Sequence, residues 1–111
     1  MISYKTAVHY AWGTGCDGWH LVKEDGMSII HEKMPPGGSE KRHYHAASRQ
    51  FFFVLNGQLT MELDDRRESL HPHQGIEIAP SVPHQAVNDS PHDVEFLVIS
   101  VPPGGEDRVY V

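Results

Sequence analysis

Punctuation limits this chain more than any other feature. Ten glycines and eight prolines are spread through 111 residues and fall between short apolar runs. Proline removes a ladder donor and fixes φ, while glycine admits sharp bends. Such a chain favours many short strands over long helices. No segment carries apolar residues at the three-and-four spacing of a helix over ten or more positions. Short apolar or alternating runs do recur: Trp19 to Lys23, Met27 to Met34, Gln50 to Leu55, Gln58 to Leu63, Gly75 to Ala79, His84 to Asn88 and Val94 to Val101. A first strand around Tyr4 to Tyr10, and a last one at Arg108 to Val111 paired to a sheet edge, bring the count to roughly eight to ten. Trp12 to Gly18 reads as a glycine-rich loop, and Ser69 to His73 carries no clear pattern. Asp25-Gly26 and Asn56-Gly57 read as hairpin turns, the second with Gln58 to Leu63 as its return strand. The expected class is all-β, a small barrel or jelly-roll-like double sheet, as one domain over residues 1–111.

Charge narrows the partners. Nine Lys and Arg face fifteen Asp and Glu, a formal net charge of −6. There is no basic excess to displace phosphate counterions, which argues against nucleic acid. One cysteine, Cys16, excludes an internal disulfide framework and suits a reducing compartment. MISYKTAVHY lacks the charged-then-apolar pattern of a signal peptide. No apolar run approaches the ~18–20 residues of a membrane span. The expectation is a cytoplasmic protein with neither membrane nor nucleic acid as partner.

Nine histidines are the chemical anomaly. Imidazole titrates near neutrality and ligates metals, so an excess raises metal or proton chemistry as a candidate. On a strand, His43 and His45 share a face with Cα atoms about 6.6–7 Å apart, within reach of one ion. Alone the pair is a weak signal, because His-x-His pairs are often exposed strand residues. Gln50 lies an odd number of residues beyond His45, so an unbroken strand would turn it away. A bend at Ala46-Ala47-Ser48 would bring it round. His84 follows Pro80-Ser81-Val82-Pro83, a rigid entry to a distant strand. If Gln50 points inward, so do Phe52 and Val54, while Phe51 and Phe53 face away. Glu32 shares parity with Ile30 and Met34, which places it at the rim of the core or as a carboxylate beside the pocket.

The spacing as a whole resembles the cupin superfamily. Its first motif, G-x5-H-x-H-x3,4-E-x6-G, is matched by Gly37, His43, His45, Gln50 and Gly57, with Gln50 in place of glutamate. Its second, G-x5-P-x-G-x2-H-x3-N, is matched in part within residues 73–88. His84 and Asn88 agree; Ala79 replaces the proline, with Pro80 adjacent, Ser81 replaces the inner glycine and His73 the leading one. The resemblance implies a small double-stranded β-helix, often paired as a homodimer. It also implies a divalent first-row ion (Fe, Ni, Zn, Cu, Co or Mn) held inside by His43, His45 and His84, with Gln50 as a fourth ligand. Met34, Phe52, Val54 and Glu32 are the expected substrate-pocket residues.

The substitution at Gln50 has chemical weight. A neutral amide leaves the full +2 on the ion, which favours an anionic small molecule, and it cannot serve as a base. The resemblance implies, first, a metal-dependent oxidoreductase of dioxygenase type on a small organic substrate, while the loss of a base at Gln50 shifts weight toward a binding or sensing module. A metal-dependent sugar isomerase, a small-ligand or sugar-sensing module without turnover, and a metal-free barrel are its alternatives. No nucleophilic triad and no phosphate-cradling loop is visible.

Overall fold

The structure, a computed structural model, describes residues 1–111. It contains eleven strands and no helix long and apolar enough to cross a membrane. In chain order they are β1 (Val8–Trp12), β2 (Cys16–Lys23), β3 (Ser28–Met34), β4 (His43–His45), β5 (Arg49–Asn56), β6 (Leu59–Leu63), β7 (Arg67–Leu70), β8 (Gly75–Ile78), β9 (His84–Val87), β10 (Val94–Val101) and β11 (Arg108–Tyr110). They form a six-stranded sheet, β1-β2-β3-β10-β5-β8, and a five-stranded sheet, β11-β4-β9-β6-β7. Every pairing is antiparallel. This is the all-β, double-stranded β-helix expected from the sequence.

Alternation places the core. Along β10, Val94, Phe96, Val98 and Ser100 are buried while the residues between them are half-exposed, the period of two that a half-buried strand imposes. Phe96 pairs with Glu32 on β3 and Val54 on β5, and Val98 pairs with Ile30 and Phe52. Residues opposite one another share a face, so these rows all point between the sheets. Leu59, Met61 and Ala86 meet them from the second sheet. Trp12, Leu63 and Ile76 pack against the edge of this cluster.

Three local expectations change. Asn56-Gly57 is not a hairpin: β5 pairs with β10 and β8, and β6 with β7 and β9. The turn carries the chain from one sheet to the other. Gly57 is required there, at φ 85°, because a Cβ would stand 2.4 Å from the Asp93 carbonyl oxygen. Asp25-Gly26 does join a hairpin, β2 to β3, but through a four-residue loop closed by the Glu24 N–H on the Met27 carbonyl. Finally, β1 begins and ends later than expected, and Cys16 to Gly18 belong to β2 rather than to a loop. Tyr10 faces Gly18, whose missing side chain leaves room for the phenol ring.

The chain also changes sheets between β4 and β5, at residues 46–48. That corner resolves the odd offset between His45 and Gln50, since the two lie in different sheets facing a common interior.

Candidate metal centre

His43 and His45 are two residues apart on β4, and both are buried. His84 opens β9, where it pairs directly with His43. One nitrogen from each of the three rings lies within 4.8 Å of the others. Two nitrogens on one ion at ~2.1 Å stand no more than ~4.2 Å apart, so a small ring rotation suffices for the three to share an ion.

The second nitrogen of each ring is already engaged. His43 Nδ1 lies 2.7 Å from the Lys41 carbonyl, and His84 Nδ1 lies 2.9 Å from the Val82 carbonyl. His45 Nδ1 lies 2.9 Å from Asp107 Oδ1. A carbonyl or carboxylate oxygen can only accept, so each Nδ1 carries the proton and each Nε2 keeps its lone pair. That is the tautomer in which a metal-binding imidazole is normally held. His45 Nε2 is buried with no hydrogen-bond partner at all, a costly state for a polar atom. His20 Nδ1 is the other such atom, on a ring packed 4.9 Å from that of Tyr10.

Gln50 reaches the same point from the opposite sheet. Its Oε1 lies 3.2 Å from His84 Nε2, while its amide nitrogen donates to Ser100 Oγ at 3.0 Å. With Nδ1 of His84 protonated, two lone pairs face one another there. A cation between or beside them turns that conflict into ligation. Turned over, the amide would instead donate to His84, so the residue can cap the imidazole or offer its oxygen to an ion. The donor set of three neutral imidazoles and one amide fits a first-row divalent ion.

Burial disfavours the charged form of two of the rings. Burial pushes the His43 pKa down to about 4, reinforced by His84, Arg108 and His45, against the Lys41 carbonyl. Burial likewise lowers His84. Asp107 behaves oppositely. Burial would raise it, but the backbone N–H groups of Ala47 and Ser48 and the His45 ring hold it below the ordinary carboxylate value. It therefore stays anionic against His45. Gly104 completes the support: a Cβ there would come within 2.7 Å of the His45 ring, so the loop after β10 closes over one face of that imidazole.

A cavity of about 250 Å³ opens beside His43, and Gln50, Phe52 and Glu32 are among its walls. Met34 and Val54, expected in the pocket, are instead sealed in the apolar core and do not line it. Parity places a side chain on the inner face, but not at which level of the barrel the hollow lies. Glu32 faces inward in one row with Tyr10, Gly18, Phe96 and Val54. The Tyr10 hydroxyl donates to Glu32 Oε1 at 3.4 Å. Burial and the neighbouring Glu40 push the Glu32 pKa up to about 8; Tyr10 and Arg108 oppose this. Burial raises Glu40 to about 7, against its bond from the Ala86 N–H and the influence of Arg108.

Sequence reasoning missed Tyr10, Glu40, Asp107 and Arg108. Asn88, the last residue of the second motif, is structural. Its amide nitrogen donates to the carbonyls of Met34 and His92, and its oxygen accepts from Ser90.

Comparison with known proteins agrees with this fold. The family model for the cupin domain matches residues 30–100. An uncharacterized protein of Methanocaldococcus jannaschii is 28% identical over 84 residues, 76% of this chain and 67% of its own length. The oxidoreductase MacE of Penicillium terrestre is 24% identical over 94 residues, 81% of this chain but only 36% of that protein. The polyketide cyclase RemF of Streptomyces resistomycificus superposes with a TM-score of 0.87 at 20% identity, covering 100% of this chain and 84% of that one; the likeness is one of fold.

Proposed function

The chain belongs to the cupin family, and from that premise we propose that it is a metal-dependent oxidoreductase of dioxygenase type, acting on a small organic molecule in the cavity beside His43. The observation that carries the reading is the buried, unpartnered Nε2 of His45 beside two further imidazoles whose Nδ1 atoms are already engaged. His43, His45 and His84 would hold the ion, with the Gln50 oxygen as a fourth ligand. Such an ion polarises a coordinated oxygen and keeps positions open for small ligands. Asp107 fixes the His45 ring, and Phe52 and Val98 keep one wall of the hollow apolar. The Penicillium relative, an oxidoreductase by name, supports the redox reading over the part of it that this chain spans.

A second reading, proton transfer of the isomerase kind, is favoured by Glu32. A carboxyl still protonated near neutrality, fixed by a phenol and open to the cavity, is suited to act as a general acid.

The test is elemental analysis of untagged protein purified without chelator, with His43→Ala alongside. Near-stoichiometric first-row metal in the parent and much less in the variant is expected. Equal content in the two removes the site. On the loaded protein, oxygen uptake with a panel of small acids and diketones supports the redox reading. Solvent deuterium incorporation without oxygen uptake supports the second.

A further inference from the structure

Arg108 faces the same hollow as the candidate metal centre. On β11 it pairs with His45, and Tyr110 pairs with His43. Cross-strand partners share a face, so the guanidinium points to the side on which the imidazoles lie. It lines the cavity beside His43, and also a second hollow adjoining it that His43, Glu32 and Glu40 share. Six of the other eight Lys and Arg side chains have a partner: Lys33, Arg42, Arg49, Arg66 and Arg67 in ion pairs, and Lys41 over the Tyr110 ring. The Arg108 side chain makes no hydrogen bond and no ion pair, although it shares the walls of these hollows with Glu32, Glu40 and His43. In a chain of net charge −6, Lys23, Lys41 and Arg108 nevertheless gather around these two hollows.

We propose that Arg108 is a carboxylate-binding subsite, and that the substrate is a small organic acid whose carboxylate bridges from this guanidinium toward the His43–His45–His84 centre. This rests on the metal reading above. A planar guanidinium presents paired donors that match a carboxylate in two parallel hydrogen bonds. The neutral amide of Gln50 leaves the positive charge of an ion undiminished, so the two ends of the site attract the same kind of molecule. Glu32 and Glu40 oppose an anion only in their ionised forms, and burial favours their neutral forms. A hollow of about 250 Å³ suits an acid of few carbons.

The test is calorimetric binding of malonate, with malonamide as the uncharged probe, to metal-loaded parent, Arg108→Gln, Arg108→Lys and, as a remote charge control, Arg66→Gln. Metal content and thermal unfolding are measured on each. Malonate is expected to bind Arg108→Gln at least ten-fold more weakly than the parent, with Arg108→Lys between them and Arg66→Gln unchanged. Malonamide should not distinguish parent from Arg108→Gln. Equal malonate affinity in parent and Arg108→Gln, with full metal and an intact fold in both, overturns the subsite. A parent without metal would overturn the metal centre instead, and the affinity ratio would then report on Arg108 alone.

Discussion

Ser81 sits at φ 71° and His73 at φ 68°, the two non-glycine residues of positive φ in the chain. Both occupy positions where the second motif of the family has glycine, so the backbone has kept a left-handed bend that the side chains resist. For an L-residue that bend costs roughly 1–2 kcal/mol. Glycine removes the strain but loses about 0.5–1 kcal/mol of unfolded-state freedom. Ser81→Gly should therefore stabilise the protein by about 0.5–1 kcal/mol. With an unfolding entropy of ~2.1 cal/mol/K per residue, that is a rise in Tm of roughly 2–4 °C. Ser81 suits the test because it is exposed and its hydroxyl makes no hydrogen bond, while its N–H reaches the His45 carbonyl at 2.7 Å in either variant. His73→Gly should gain less, since the ring stacks on Phe53 at 6.4 Å. The assay is thermal unfolding by circular dichroism with chelator present, so that metal linkage does not enter. Ser81→Ala keeps the bend strained and should give no gain. A fall in Tm for Ser81→Gly, or an equal rise for Ser81→Ala, refutes the reasoning.

Two further outcomes follow from the site. Asp107→Asn removes the anionic partner of His45 and should weaken metal affinity about 10–100-fold in a competitive chelator titration; unchanged affinity would show that Asp107 only ties the loop to the Ala47 and Ser48 backbone. Glu32 has a folded pKa of about 8, above the ordinary carboxylate value of 4.5, so its contribution is fully present below pH ~4.5 and is lost as pH rises through 8. Glu32→Gln should therefore flatten the decline in stability between pH ~4.5 and 8 and exceed the parent at pH 9 by on the order of 1–2 kcal/mol. Parallel stability curves in urea titrations would exclude the burial of this carboxyl.

The legible parts of this fold were those written locally. β3, β5 and β10 announce themselves by apolar alternation, and the spacing of His43, His45 and His84 survives any uncertainty about strand ends. Partner choice is not local. Asn56-Gly57 makes a turn wherever it occurs, but whether the strands beside it pair with each other depends on β10, nearly forty residues on, lying against β5 instead. Tyr10, Asp107 and Arg108 were illegible for the same reason: each reaches the site through a strand or loop far from the motif residues. Glu32 could be placed on the inner face by parity, yet only the row Tyr10–Gly18–Glu32 explains what it meets there.

The support of His45 comes from residues 104–110. Asp107 fixes its ring, β11 pairs with its strand and Gly104 lies over its face. During synthesis, then, the imidazoles at 43, 45 and 84 are all made before the residues that orient one of them. A nascent chain released only up to the middle of β10 holds the His43 and His84 rings through their nearby carbonyls but leaves the His45 ring unanchored until residues 104–110 dock.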